Sequence, residues 1–143
     1  MTNTISVLYT IEQKRAQKAY DLVQYVIEEK IKEYKSAADK FPAMIVNCGL
    51  LQVLSFYKSK NNLNPVFNSL KTWFCEHYNW GADITDTNFL YKTMKLEVFE
   101  YREKTQEALA FLTWLKRFAD IKHQEIKQKS ERSKDGEGGK YAS

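Results

Sequence analysis

From Val98 to Gln124 the apolar residues Tyr101, Ala108, Phe111, Leu112, Leu115, Phe118 and Ala119 fall on one side of a helical wheel, with Gln106 and Arg117 facing away. No proline or glycine interrupts this stretch. Steps of three, four and seven residues gather its apolar side chains into a single stripe. A helix of this kind is stable only when neighbouring elements cover the stripe. Only five Gly and two Pro punctuate the 143 residues, which suits long helices and disfavours a turn-rich β architecture.

The rest of the chain supplies the covering helices. Thr10-Ile11-Glu12-Gln13 is a capping box, with Gln13 placed to reach back to the N–H of the cap. Ala16, Ala19, Tyr20, Val23, Val26, Ile27, Ile31 and Tyr34 then mark one apolar face of a helix running to about Tyr34, with Lys14, Lys18, Tyr25 and Lys32 opposite. Ser36–Phe41 reads as a helical turn ending before Pro42, because proline disfavours α geometry in the residue before it. A second helix follows from Pro42 to about Lys58. It is apolar on almost every face through Met44–Leu54 and therefore central. Gly49 inside it costs about 1 kcal/mol relative to alanine, which close approach of a neighbouring helix would offset.

Asn64-Pro65 opens a third helix to Tyr78 that buries Val66, Leu70, Trp73 and Phe74, between loops at 59–64 and 79–86. A short fourth helix spans about Thr87–Lys95. The expected fold is all-α: a compact bundle of five to six mostly antiparallel helices in one domain, residues 1–126. Residues 127–143 are expected to form a disordered polar tail.

The charge is unevenly spread. The tail holds five basic and three acidic residues and carries half of the net +4, leaving a body with 17 basic and 15 acidic residues that is close to neutral. Any anion-binding surface must therefore come from sorted faces. Cys48 and Cys75 form no C-x-x-C pair, Met1–Thr10 lacks the pattern of a signal peptide, and no apolar run approaches the roughly 20 residues a bilayer requires. A cytoplasmic protein with reduced thiols is expected.

Reactive chemistry is hard to assemble from these residues. Cys75-Glu76-His77 offers two metal ligands where zinc needs three or four. Gly136–Gly139 has no strand before it and no helix after it, so it is no phosphate loop. No Ser or Cys sits in a nucleophile setting with a His partner. The reading is a non-enzymatic protein without cofactor, metal or small-molecule substrate. The basic residues fall into three groups: Lys14, Arg15 and Lys18; Lys58 and Lys60; Lys116 and Arg117. Solubility and helix capping account for such groups, and so does contact with phosphates, each of which adds to affinity and to its salt dependence.

The run Tyr101–Ala119, with Trp114-Leu115-Lys116-Arg117-Phe118-Ala119 at its end, resembles the signature of the small all-helical subunit of type III-B CRISPR (Cmr) RNA-guided effectors. Glu12-Gln13-Lys14-Arg15 with Ala19-Tyr20 is similar to that family's first helix, and Phe41–Ile45 through Gly49–Phe56 to its central one. The resemblance covers about Ile11–Ala119. One departure is Cys48, where the family more often has Asn before the central Gly.

The resemblance implies a bundle present in several copies, stacked beside larger backbone subunits and lining the groove that receives target RNA. Its partners would be other Cmr subunits, copies of itself, guide RNA and target RNA, with no membrane. The family's basic surface carries over by position to Arg15, Lys58, Lys116 and Arg117, with Lys14, Lys18 and Lys60 as additions. Backbone-directed contacts of this sort are indifferent to base identity, since guide pairing supplies the sequence readout. The rival expectation is a helical scaffold or adaptor that binds protein alone, and a helical nuclease is a third.

Overall fold

The computed structural model describes the backbone of residues 8–141 and the side chains of residues 8–133. Residues 1–7 of the expected body, 142–143, and the side chains of 134–143 in the expected tail lie outside that description. Six α-helices, with no strand among the described residues, follow one another: α1 (Ile11–Gln24), α2 (Ile31–Cys48), α3 (Leu50–Ser59), α4 (Asn64–His77), α5 (Asp86–Met94) and α6 (Val98–Tyr141).

The capping box is formed as the sequence predicts. Thr10 Oγ1 accepts from the Gln13 N–H, and the Gln13 side chain accepts from the Thr10 N–H at 2.8 Å. The helix does not reach Tyr34, however. It stops at Gln24, and a 3-10 turn at Glu28–Lys30 leads into α2. The periodicity hid the break because Val23 and Ile31, on either side of it, both serve the core. Between them Ile27 is 59 % exposed, as no core-facing residue of a continuous helix would be.

Two further boundaries differ. The chain remains helical through Pro42, so α2 spans the expected turn and half of the expected central helix. Proline leaves the Ala38 carbonyl without its helical N–H, and flanking Ala38, Phe41 and Ile45, all buried, hold the segment by packing. The central helix is instead divided at Gly49, whose φ of 91° and ψ of 150° lie where side-chain-bearing residues are strained. Tyr101 donates nothing there but accepts: its Oη takes the Leu51 N–H at 2.9 Å, satisfying one of the orphan donors at the start of α3.

α6 organises the core. α2 runs antiparallel to it, since Lys35 lies by Asp120 and Gly49 by Tyr101. α1 runs parallel to it: Arg15 meets Glu107, Tyr20 meets Phe118, and Lys122 reaches Val23. α4 brings Trp73 flat against Phe111 at 5.2 Å and 2° between planes. Phe67, Phe74 and Phe89 tie α5 to α4 edge-on and tilted. Phe41 and Tyr57 pack with centroids 3.9 Å apart, and Tyr57 Oη donates to the Ala37 carbonyl. α6 continues as helix into 127–141, where residues 127–133 are exposed throughout.

Candidate nucleic-acid interface

The seven basic residues singled out by the sequence occupy three separate places. On α1, Lys14 is exposed and Lys18 is half-buried. Both line a groove of about 480 Å³ with Tyr9, Asp21, Glu76 and His77. Lys18 Nζ pairs with Glu76 Oε2 at 2.6 Å, linking α1 to α4. Arg15 turns inward. Its Nε and Nη2 donate to Glu107 Oε2 and Oε1, both at 2.7 Å, and Trp73 Nε1 donates to the same carboxylate at 2.9 Å. The hydrogen bond to Glu107 raises the Arg15 guanidinium further above its ordinary value. Burial acts to raise the Glu107 carboxyl, but the bonds from Arg15 and Trp73 outweigh it and hold the group below the usual carboxylate range. Arg15 is thus committed to the core.

The second place is the outer face of α6 beside α2. Lys116 and Arg117 are exposed and line a groove of about 670 Å³ with Lys35, Asp39, Pro42, Thr113 and Asp120. Lys116 and Asp120, like Glu100 and Lys104, stand four residues apart on α6, the spacing of a helical ion pair. Neither pair is formed. Asp120 lies 3.9 Å from Lys35, which is itself 2.8 Å from Asp39, and Lys104 pairs with Glu103 at 2.7 Å. The hydrogen bond to Asp39 raises the Lys35 ammonium, and Asp120 adds to it. Both acids of the groove thus lie within salt-bridge distance of Lys35, Asp39 closely and Asp120 at the limit. Among the described residues neither Lys116 nor Arg117 has a carboxylate within salt-bridge distance, and Arg117 lies over the Trp114 ring at 5.9 Å.

The third place is the end of α3. Lys58 is half-buried and Lys60 exposed, its Nζ 5.7 Å from the Phe56 ring centre. Neither has a salt-bridge partner among the described residues. Five of the seven cations are therefore available to an anion, and Arg15 and Lys18 are engaged.

Lys104 and Lys122 are cations with structural tasks that the sequence did not signal. Lys104 is 7 % exposed and sits 4.0 Å from the Tyr78 ring centre. Lys122 donates to the carbonyls of Val23, Gln24 and Val26 at the end of α1. Cys75 and His77 open onto different grooves, and among the described residues no cluster of three or more His, Cys, Asp or Glu is placed to share a metal. No helix among them is long and apolar enough to cross a membrane.

This combination defines a small helical-bundle protein whose exposed chemistry is cationic side chains set on a rigid frame. Residues 11–122 match the family model described as CRISPR-associated protein (Cas_Cmr5). The chain also resembles the crystal structure of a CRISPR-associated Cmr5 family protein from Thermus thermophilus. The two are 28 % identical, the match covers 79 % of this chain and 97 % of that one, and the TM-score is 0.63. The chain belongs to the Cmr5 family and is a small subunit of the type III-B Cmr complex.

Proposed function

We propose that this subunit is non-catalytic, stacks along the backbone subunits of a cytoplasmic Cmr ribonucleoprotein, and contacts the phosphates of guide or target RNA in antiviral defence. The observation that carries the RNA contact is the pair Lys116 and Arg117, exposed beside a groove whose two acids lie within salt-bridge distance of Lys35. Lys58, Lys60 and Lys14 extend the cationic surface. Arg15 and Lys18 support it by fixing α1 to α4 and α6. Phosphate contacts need charge at the right place and no base readout, which matches a frame whose target is set by the guide. The exposed residues 127–133 would continue α6 beyond the packed body.

A protein-only scaffold is the second reading, favoured by one observation: two of the seven expected RNA-binding cations are neutralised within the chain. The test is a Cmr complex assembled with a subunit carrying Lys58→Glu, Lys116→Glu and Arg117→Glu. Weakened retention of target RNA with a folded bundle is expected. Retention equal to that of the unaltered complex would leave the scaffold reading in its place.

A further inference from the structure

His77 ends a three-layer aromatic stack. Phe111 lies beneath Trp73 at 5.2 Å, and the His77 ring lies over Trp73 at 4.9 Å, with planes 2° and 7° apart. The lower layers are fixed: Phe111 and Trp73 are buried, and Trp73 Nε1 is held by a Glu107 carboxylate that Arg15 locks in two places. Tyr78 meets the His77 ring edge-on at 4.6 Å. His77 itself is exposed and opens onto the groove that Tyr9, Lys14, Gln17, Lys18, Asp21 and Glu76 also line. The His77 ring is thus held against Trp73 and Tyr78 while the residue stays exposed to the groove.

We infer that His77 is a stacking platform for a single unpaired RNA base, with Lys14 meeting the adjoining phosphate. The inference rests on the RNA-contact reading above and names a different site for it. The groove of about 480 Å³ is within the range that holds a nucleotide-sized ligand. Its charges cancel, since Lys14 and Lys18 face Asp21 and Glu76, and Glu76 is already paired with Lys18. A phosphate alone gains little from such a neutral site. A planar ring gains the stacking energy, which every base can supply and which does not depend on sequence. Contact here is therefore weakly sensitive to salt, unlike contact at Lys116 and Arg117.

The site lies within one chain, so the full-length isolated subunit suffices to test it. Single-stranded oligoadenylate and an abasic oligomer with the same phosphates are titrated while the His77 ring protons and the Trp73 indole proton are followed by NMR. Oligoadenylate is expected to shift the His77 resonances upfield and the abasic strand is not. His77→Ala lowers oligoadenylate affinity on the order of tenfold, His77→Phe restores it, and the ratio is the same at low and high salt. Equal binding by His77→Ala and the unaltered chain overturns the platform, as does equal binding of the abasic strand. If that happens while the assembled complex with Lys58→Glu, Lys116→Glu and Arg117→Glu loses target RNA, the platform alone fails. If both experiments show no change, the RNA-contact reading falls with it.

Discussion

Arg15 and Glu107, 92 residues apart in sequence, form a two-pronged ion pair with both N···O distances at 2.7 Å, in which the carboxylate is 7 % exposed. This contact decides what Arg15 is for. A phosphate ligand would have to displace a carboxylate that is already desolvated and shared with Trp73. Removing the guanidinium leaves the buried Glu107 charge with no counter-ion and only the Trp73 N–H as a partner. Arg15→Ala is therefore expected to destabilise the fold by about 3 kcal/mol, or roughly 10 °C in Tm, the lower end for a buried pair because Arg15 retains some exposure. Thermal unfolding measures it, and a loss below a few tenths of a kcal/mol would return Arg15 to the surface cations.

The same pair sets an acid limit. The Glu107 carboxyl is held below its ordinary value of 4.5, so its contribution is complete above that value and fades as pH falls through the lower folded-state value. The difference in Tm between the parent and Glu107→Gln is expected to be constant near neutrality and to shrink on acidification below 4.5. A difference that grew on acidification would mean the carboxylate is not the stabilised form.

Gly49 joins α2 to α3 at a φ of 91°, yet an added Cβ there would meet only Tyr101 Oη, at the ordinary distance of 3.9 Å. Space is therefore not the obstacle, and the whole penalty of Gly49→Ala is conformational. The expected loss is about 2 kcal/mol, read from the denaturant midpoint at unchanged slope. A neutral substitution would mean that the junction can relax into a continuous helix, as the sequence alone suggests.

Arg15 and Gly49 also show where reading the sequence succeeds and fails. Thr10 with Gln13, the apolar stripe of Val98–Gln124, and the starts of α4 and α5 are encoded within a few residues, and the structure keeps all of them. The breaks at Gln24 and Gly49 are settled elsewhere in the chain, by Lys122 at the carbonyls of Val23, Gln24 and Val26 and by Tyr101 at the amide of Leu51. The site follows the same rule. Composition places Lys14, Arg15 and Lys18 together on one helix, but whether each is free depends on Glu107 and Glu76, which periodicity does not bring near. His77 was legible only as half of a poor metal pair, because its role depends on the stack beneath it.

Lys122 is the device that ends α1. Its ammonium donates to the carbonyls of Val23, Gln24 and Val26 around the helix terminus, where the helix dipole also favours positive charge. Lys122→Met keeps the aliphatic bulk and removes the charge together with its N–H donors. It is expected to cost about 1 kcal/mol and to speed amide hydrogen exchange over the last turn of α1, leaving α4 and α5 protected. Uniform acceleration through the whole bundle would show that Lys122 supports the core in general and not this helix end.

Charge reversal at Lys58, Lys116 and Arg117 changes two things together, the local contacts and the net charge of the chain, which falls from +4 to −2. Reversal of Lys32, Lys92 and Lys95, all exposed and outside the proposed surface, alters the net charge equally and separates the two. Each lost phosphate contact flattens the dependence of log K on log salt by about 0.7 to 0.9, so the first variant is expected to reduce the slope for target RNA by roughly 2. The second removes no phosphate contact, so its slope is expected to fall by clearly less than 2, through the screened long-range field alone. Fluorescence anisotropy of labelled target RNA with the assembled complex over a salt series gives both numbers. Equal slopes for the two variants would mean that the complex senses this subunit's charge without its side chains touching phosphate.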